Sequence, residues 1–191
     1  MLTTKLRRGF VTEANSWACD LRREMNLLPQ NPLCPWATCK HLGIRIYKLS
    51  EIKQCVERTL LFERRKGCGF SAAVCFEGIR AFIVINDIND PKRQASDIAH
   101  ELAHVLLRHP PSHPFHANGI REFLPEHEME AERLGPTLLV SDEAAVDACR
   151  MISRGEHTLP SLSDEWGITR EVLRMRINLS GAKKRFSYAA E

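Results

Sequence analysis

The sequence lacks any apolar run near the roughly 20 residues that a transmembrane helix requires. The first 23 residues mix charged with apolar side chains, which excludes the apolar core of a signal peptide. None of the seven cysteines forms a C-x-x-C pair, so a zinc ribbon or a dithiol redox motif is also excluded. Cys34 and Cys39 could form a disulfide, but nothing in their spacing requires one. These absences predict a soluble cytoplasmic protein with reduced thiols and no membrane partner.

The chain also has little excess charge, no internal repeat and no long linker. Its 27 basic and 24 acidic residues give a net charge of +3. From residue 170 onward, six basic and two acidic residues sum to +4, so the remaining 169 residues sum to −1. A charge this small does not by itself indicate nucleic-acid binding. With 191 residues, 43% of them hydrophobic, the sequence predicts a single domain over 1–191.

Hydrophobic periodicity predicts an α+β fold that is mainly helical and has a small antiparallel β-sheet. The predicted helices span 10–28, 35–40, 97–108, 126–140, 142–153, 159–166 and 169–177. A strand is predicted over 44–49, and two strands over 70–76 and 79–85 form a hairpin with its turn at Glu77-Gly78. Ser96 is expected to cap the 97–108 helix, and Gly135-Pro136 to strain or kink the 126–140 helix.

The pattern His100-Glu101-Leu102-Ala103-His104 lies inside the 97–108 helix and carries most of the chemical information. Residues four apart on a helix differ by about 40° in azimuth, so both imidazoles leave one face and can bind one metal ion. Zinc fits such a pair, with a third protein ligand and one position left for water. Glu101 lies about 100° from His100 around the helix, where it can act as a general base.

The third ligand is expected from the acidic segment 126–132, which opens the next helix. Glu128 and Glu132 share a face of that helix, so if Glu128 binds the ion, Glu132 can accept a hydrogen bond from a ligand histidine. Glu126 and Glu130 fit a solvated acidic face equally well. His109 follows His104 by five residues and is expected to cap the helix end or to face solvent.

The residues around these motifs resemble the ImmA/IrrE family of zinc metallopeptidases. The resemblance rests on Ile85-Asn86, on the stretch from Arg93 through the histidine motif to Leu107, on Glu128-x-x-Ala131-Glu132-x-x-Gly135-x-x-Leu138-Leu139, and on Trp166-Gly167-Ile168-Thr169 and Arg176-Ile177-Asn178-Leu179-Ser180-Gly181-Ala182. It implies a zincin-like metallopeptidase core over 10–158 and a C-terminal subregion over 159–186 similar to a helix-turn-helix.

The same resemblance implies that His100, His104 and Glu128 are zinc ligands and that Glu101 is the catalytic base. Glu132 stands where the family usually has Asn or Asp, so a longer side chain would make its hydrogen bond. The implied activity is a narrow endopeptidase that cleaves a helix-turn-helix transcriptional repressor, supplied as a separate partner. The donor that stabilises the oxyanion is open, with His109, His113, His116 and His127 as candidates.

Two other functions remain open at the level of sequence. The chain could be a regulatory protein that uses the zinc fold as a scaffold and touches DNA through 162–179, which the Gly167 turn and the basic C-terminus suggest. It could also be one half of a toxin–antitoxin pair that mainly engages a protein partner. DNA binding is the less favoured of these partners, because helices packed under a metal site show the same pattern.

Overall fold

The computed structural model describes residues 5–52, 70–110 and 124–187. The helices are α1 (Phe10–Glu24), α2 (Pro35–His41), α3 (Leu49–Ile52), α4 (Pro91–Leu106), α5 (Pro125–Leu139), α6 (Asp142–Ser153), α7 (Leu159–Glu165), α8 (Arg170–Leu179) and α9 (Ala182–Ser187). The strands are β1 (Arg45–Lys48), β2 (Ala72–Glu77) and β3 (Arg80–Ile85). The predicted α+β, mainly helical fold class is confirmed. None of the helices in these ranges is long and apolar enough to cross a bilayer.

The sheet has the strand order β1-β3-β2 and is mixed rather than purely antiparallel. The predicted hairpin is present, but Glu77 pairs with Arg80, so Gly78 and Ile79 form its turn. Gly78 has a φ of 60°, which glycine adopts at little cost. β1 pairs with β3 in parallel. A tight turn forces the antiparallel pairing of a hairpin, whereas β1 reaches β3 through a long connection that allows parallel pairing.

Two helix boundaries differ from the prediction for identifiable reasons. α4 begins at Pro91 instead of residue 97, because Asp90 caps it by accepting a hydrogen bond of 2.9 Å from the Lys92 amide. Ser96 therefore lies inside the helix and is not its cap. Proline at the first helical position after a capping Asp is a common helix start. α1 ends at Glu24 because Asn26 adopts the left-handed conformation, with a φ of 55°.

The core consists of two packed groups of side chains that meet at α5. The sheet-side cluster joins α1, α2, the sheet, α4 and α5, with Phe10, Ile83, Leu102 and Leu134 at its centre. The C-terminal cluster joins the end of α5 to α6, α7, α8 and α9. α5 continues as one helix through Gly135 and Pro136, and the strain or kink expected there stays a prediction. Because α5 belongs to both clusters, its position is fixed from two sides.

The structure describes no residue of the segments 53–69 and 111–123. The predicted candidates His113 and His116 lie outside the described residues, as do Cys55 and Cys68. Cys34 and Cys39 are separate thiols rather than a disulfide.

Candidate metal centre

α4 presents the two motif histidines beside the sheet-side cluster. Its opposite face is buried through Ile98, Leu102 and Ala103, which lie against the sheet and α5. The His104 side chain is 12% exposed and the His100 side chain is 28% exposed. The helix therefore places both imidazoles at the edge of the core, where they are shielded from water but still reachable.

Glu128 of α5 meets both imidazoles. Its Oε2 lies 3.3 Å from His100 Nε2, its Oε1 lies 3.2 Å from His104 Nε2, and the two Nε2 atoms are 3.2 Å apart. Within the described ranges, these three residues form a group whose ligand atoms converge on one point. Glu126 is exposed and Glu130 is directed to a different histidine. The structure thus brings the three predicted ligands together and separates Glu128 from its acidic neighbours.

The spacing of the two Nε2 atoms and the Glu128 carboxylate suits a small tetrahedral metal ion. Zinc bonds of 2.0–2.1 Å at tetrahedral angles separate the ligand atoms by about 3.3–3.4 Å. The two Nε2 atoms are 3.2 Å apart, and each lies 3.2–3.3 Å from a different oxygen of the Glu128 carboxylate. Two neutral imidazole nitrogens and one carboxylate are also the donor set of many catalytic zinc sites. Both the chemistry and the spacing of the residues present therefore suit zinc.

A close contact between α4 and α5 sets the distance from Glu128 to the histidines. A Cβ atom on Gly135 would lie 3.0 Å from the backbone nitrogen of His100 and 3.1 Å from the Ala99 carbonyl. Any larger residue at this position would push the helices apart. Glu128 and Gly135 are two turns apart on one face of α5, and the buried Ala131 lies between them. This face holds the carboxylate over the histidine pair.

Glu101 lies beside this group and is held by the sheet. Its side chain is largely buried, the residue being 7% exposed, and its Oε2 accepts a hydrogen bond of 2.8 Å from the backbone N–H of Val74 in β2. That contact leaves the second carboxylate oxygen for another partner. Glu101 is thus oriented by the backbone of β2, close to both motif histidines.

Interactions within the group shift the pKa values of Glu128 and His100. Burial alone would raise the pKa of Glu128, but the hydrogen bonds from His100 and His104 outweigh it and hold the pKa well below its usual range. Burial would likewise lower the pKa of His100, yet the hydrogen bond to Glu128 and the charges of Glu101, Glu128 and Glu132 raise it. The carboxylate is therefore ionised and ready to act as a ligand at neutral pH.

Glu132 does not reach a ligand histidine, whereas His109 caps the helix end, one of its two predicted alternatives, but does not face solvent. Glu132 is exposed, and within the described ranges no hydrogen bond joins it to either ligand histidine, so it acts on His100 only through its charge. His109 is 8% exposed rather than solvent-facing. Its backbone N–H does close the end of α4, bonding the His104 carbonyl at 3.0 Å. Its ring contacts the His104 ring, a contact that sequence reasoning missed.

The contact between His109 and His104 was not predicted because the backbone changes direction just after α4. Helical geometry places residues five apart about 140° from each other, which separates His109 from His104. However, α4 ends at Leu106, and Arg108 adopts the left-handed conformation with a φ of 54°. The chain turns back and places the His109 Nδ1 2.9 Å from the His104 Nδ1. The only sequence signal was the His-Pro pair at 109–110, which ends a helix without specifying this turn.

Of the candidate oxyanion donors, His109 is engaged elsewhere and His127 is stacked on it. Both ring nitrogens of His109 have partners, His104 on one side and Glu130 on the other. Burial and the nearby charges of His104 and His127 lower the pKa of His109, with the hydrogen bond to Glu130 opposing them. His127 stacks on the His109 ring with centroids 4.2 Å apart. The oxyanion donor is therefore not assigned to either residue.

Comparison with known proteins identifies the family of the chain. No match is found among the curated proteins. The family model described as Peptidase_M78, IrrE N-terminal-like domain, matches residues 39–178, a stretch that includes both α4 and α5. The match covers well over half of the chain and agrees with the resemblance to the ImmA/IrrE family. The chain therefore belongs to the Peptidase_M78 family of IrrE N-terminal-like domains.

Proposed function

We propose that the protein is a zinc-dependent endopeptidase of narrow specificity that acts on a protein substrate in the cytoplasm. The observation that carries the proposal is the convergence of His100, His104 and Glu128 at 3.2–3.3 Å, with the Glu101 carboxylate beside them. The membership of the chain in a peptidase family gives this geometry its reaction class.

The residues divide the work of peptide hydrolysis between them. Zinc bound there would lower the pKa of water and polarise the scissile carbonyl. Glu101 accepts a proton from the attacking water as the water oxygen bonds to the carbonyl carbon of the substrate. The same carboxyl group then gives the proton to the amide nitrogen as the C–N bond breaks, which leaves a free amine and a carboxylate. The Val74 hydrogen bond keeps Glu101 oriented through both transfers.

An extended peptide is the substrate shape that this site suits. Within the described residues, β2 is at one edge of the sheet, and its Val74 amide points to Glu101 instead of to β3. A peptide laid along that edge as an additional strand would pass the catalytic carboxylate. The family resemblance supplies the finer proposal that the substrate is a helix-turn-helix repressor cleaved to release the genes that it silences.

The activity is tested by comparing Glu101→Gln with the control Glu126→Gln. Glu126 is an exposed residue of α5, the helix that carries Glu128. The wild type is expected to purify with about one zinc ion and to lose activity reversibly on chelation. Glu101→Gln is expected to keep its zinc and to lose proteolysis by at least about 100-fold, whereas Glu126→Gln keeps both. An absence of zinc, or full activity of Glu101→Gln, would contradict the proposal.

The substrate is tested by co-expression with a helix-turn-helix repressor, chosen from the genes that neighbour this one. We expect one repressor fragment, whose mass identifies the cleaved bond, in cells with the wild type and none in cells with Glu101→Gln. Fragments of many proteins would contradict narrow specificity. An uncleaved repressor that nevertheless co-purifies with the protein would favour the alternative of sequestration in a toxin–antitoxin pair.

DNA binding through 162–179 has less support. The most buried cation of that region, Arg176, is 1% exposed and donates to the Val140 carbonyl and to Asp142 inside the C-terminal cluster. It cannot contact a phosphate without leaving the core. A gel shift on operator DNA at low salt tests the remaining exposed cations, such as Arg170 and Arg174.

A further inference from the structure

A chain of hydrogen bonds runs from His104 away from the three ligand atoms. The His104 Nδ1 and the His109 Nδ1 are 2.9 Å apart, and the His109 Nε2 lies 3.1 Å from the Glu130 Oε2. The other oxygen of Glu130 accepts a hydrogen bond of 2.6 Å from the Arg7 Nε, and Arg7 also donates to Glu13. The exposed fraction of the side chains falls from 51% at Arg7 to 15% at Glu130 and 5% at His109.

This His109–Glu130–Arg7 chain is assembled from distant parts of the sequence. His109 follows α4, Glu130 lies in the second turn of α5, and Arg7 precedes α1. The left-handed Arg108 brings His109 back beneath His104, and the His127 ring stacks on it within 16° of parallel. Arg7 lies outside residues 39–178, so the matched family domain does not include it. Such a convergence fixes the His109 ring in position and in orientation.

The direction of each hydrogen bond follows from the outer end inward. Arg7 has only donors, so Glu130 accepts from it. An ionised carboxylate cannot donate, so the hydrogen between it and His109 is on the His109 Nε2. A ring that is 5% exposed avoids the desolvation cost of a charge by staying neutral, which leaves a lone pair on its Nδ1. When a metal ion is bound, His104 then donates from Nδ1, and its Nε2 offers the ion a lone pair in place of the proton that it otherwise shares with Glu128.

We propose that His109, held by Glu130 and Arg7, is a positioning residue that fixes the tautomer and ring orientation of His104 for metal binding. The tautomer that the chain dictates is the one in which the Nε2 of His104 can act as a ligand. Outer partners of ligand histidines have this role in metal sites generally, where they are usually carboxylates or carbonyls. Here a second imidazole is placed between the ligand and the carboxylate. The inference rests on the metal site of the proposed function and is independent of peptide hydrolysis.

Zinc affinity gives the first test, measured by competition with a chromophoric chelator on the full chain. His109→Leu is expected to lower the affinity about 10–100-fold, and Glu130→Gln, which can donate to His109 and reverse its tautomer, about 10-fold. His109→Asn places an oxygen near the lost Nδ1 and should restore most of the affinity. Glu126→Gln, an exposed carboxylate in the first turn of the same helix, should leave it unchanged.

Side-chain ¹⁵N NMR of the histidines gives the second test, because a packing role alone would not change a tautomer. In the zinc-loaded wild type, we expect a proton on the His104 Nδ1 and on the His109 Nε2. In Glu130→Gln, which replaces one partly buried side chain by another of equal size, the His109 signals should change. Unaltered zinc affinity in both His109→Leu and Glu130→Gln, or a zinc-loaded His104 without a proton on Nδ1, would overturn the proposal. Both measurements hold even if Glu101→Gln proves fully proteolytic, so the two failures are distinguishable.

Discussion

The two ends of α5 satisfy their polar groups in different ways. At the N-terminal end, Glu128 and the two motif histidines turn their ligand atoms toward one another at 3.2–3.3 Å. At the C-terminal end, the carbonyls of Leu139 and Val140 are bound by two buried arginines. The N-terminal end brings together lone pairs that a bound cation could share. At the C-terminal end, the carbonyls are already bound by the cationic side chains of Arg22 and Arg176. A candidate site for an external ion and a permanent internal support thus occupy one helix.

The support at the C-terminal end is built from side chains of two other helices. Arg22 of α1 donates to the Leu139 carbonyl at 3.1 Å and to the carbonyls of Ala18 and Asn31. Arg176 of α8 donates to the Val140 carbonyl at 2.7 Å and to Asp142 at 2.7 Å. The last carbonyls of a helix have no partner within the helix, so these contacts remove a cost that burial would impose. The comparison predicts that stability and metal binding can be changed separately.

The largest effect is expected from Arg176→Met, which leaves Asp142 and the Val140 carbonyl without their partner. We expect the free energy of unfolding to fall by about 3–5 kcal/mol, measured by urea denaturation. Arg174→Met is the control, because Arg174 is exposed on the same helix, and it should change stability by less than about 0.5 kcal/mol.

The zinc affinity of folded Arg176→Met should equal that of the wild type. A large fall in affinity would show that the two ends of α5 are not independent.

Gly135→Ala is expected to have a smaller effect, which should change both the stability of the fold and the binding of zinc. Alanine favours a helix over glycine by about 1 kcal/mol, but its methyl group would press on the Ala99 and His100 backbone at 3.0–3.1 Å. We expect a net loss of about 1–3 kcal/mol in stability, and weaker zinc binding because Glu128 moves away from the histidines. Thermal unfolding with and without zinc measures both. If the variant is as stable as the wild type and binds zinc as tightly, the contact between α4 and α5 does not set the position of Glu128.

The smallest effect concerns Glu143, which follows the C-terminal end of α5. Burial tends to raise the pKa of Glu143, but its own backbone N–H and hydrogen bonds from Cys19, Asn15 and Ser141 outweigh that and lower the pKa. Because the folded pKa is lower, the stabilisation is complete above the ordinary value of about 4.3 and is lost as pH falls through the folded pKa. The stability difference between wild type and Glu143→Gln should therefore be greatest near neutral pH and shrink in acid. Urea midpoints across pH 3–7 measure it, and a difference independent of pH would contradict the assignment.

The parts of the site that the sequence predicted are those encoded by local spacing. His100, Glu101 and His104 lie on one helix, so their relation follows from helical geometry alone. Glu128 was separated from Glu126 and Glu130 only by the family resemblance, because choosing among three carboxylates requires the rotation of α5 against α4. The role of Gly135 could not be predicted from the sequence either, because it too depends on how α5 packs against α4. In sequence it is a helix breaker, whereas in the structure it lies where α5 packs so closely on α4 that an added Cβ would come within 3.0 Å of the His100 backbone.

The sequence by itself predicted α1, α2, α4 to α8, the hairpin and the His-Glu-x-x-His pattern, because each depends on periodicity over a few turns or on a short turn between two strands. Only the tertiary structure decided that β1 joins the sheet in parallel, that α5 places Glu128 on the histidine pair, and that His109 lies against His104 with Glu130 and Arg7 behind it. These arrangements depend on packing between residues far apart in the chain and on one left-handed residue, Arg108. A non-glycine residue adopts that conformation only where the surrounding fold compensates for its cost.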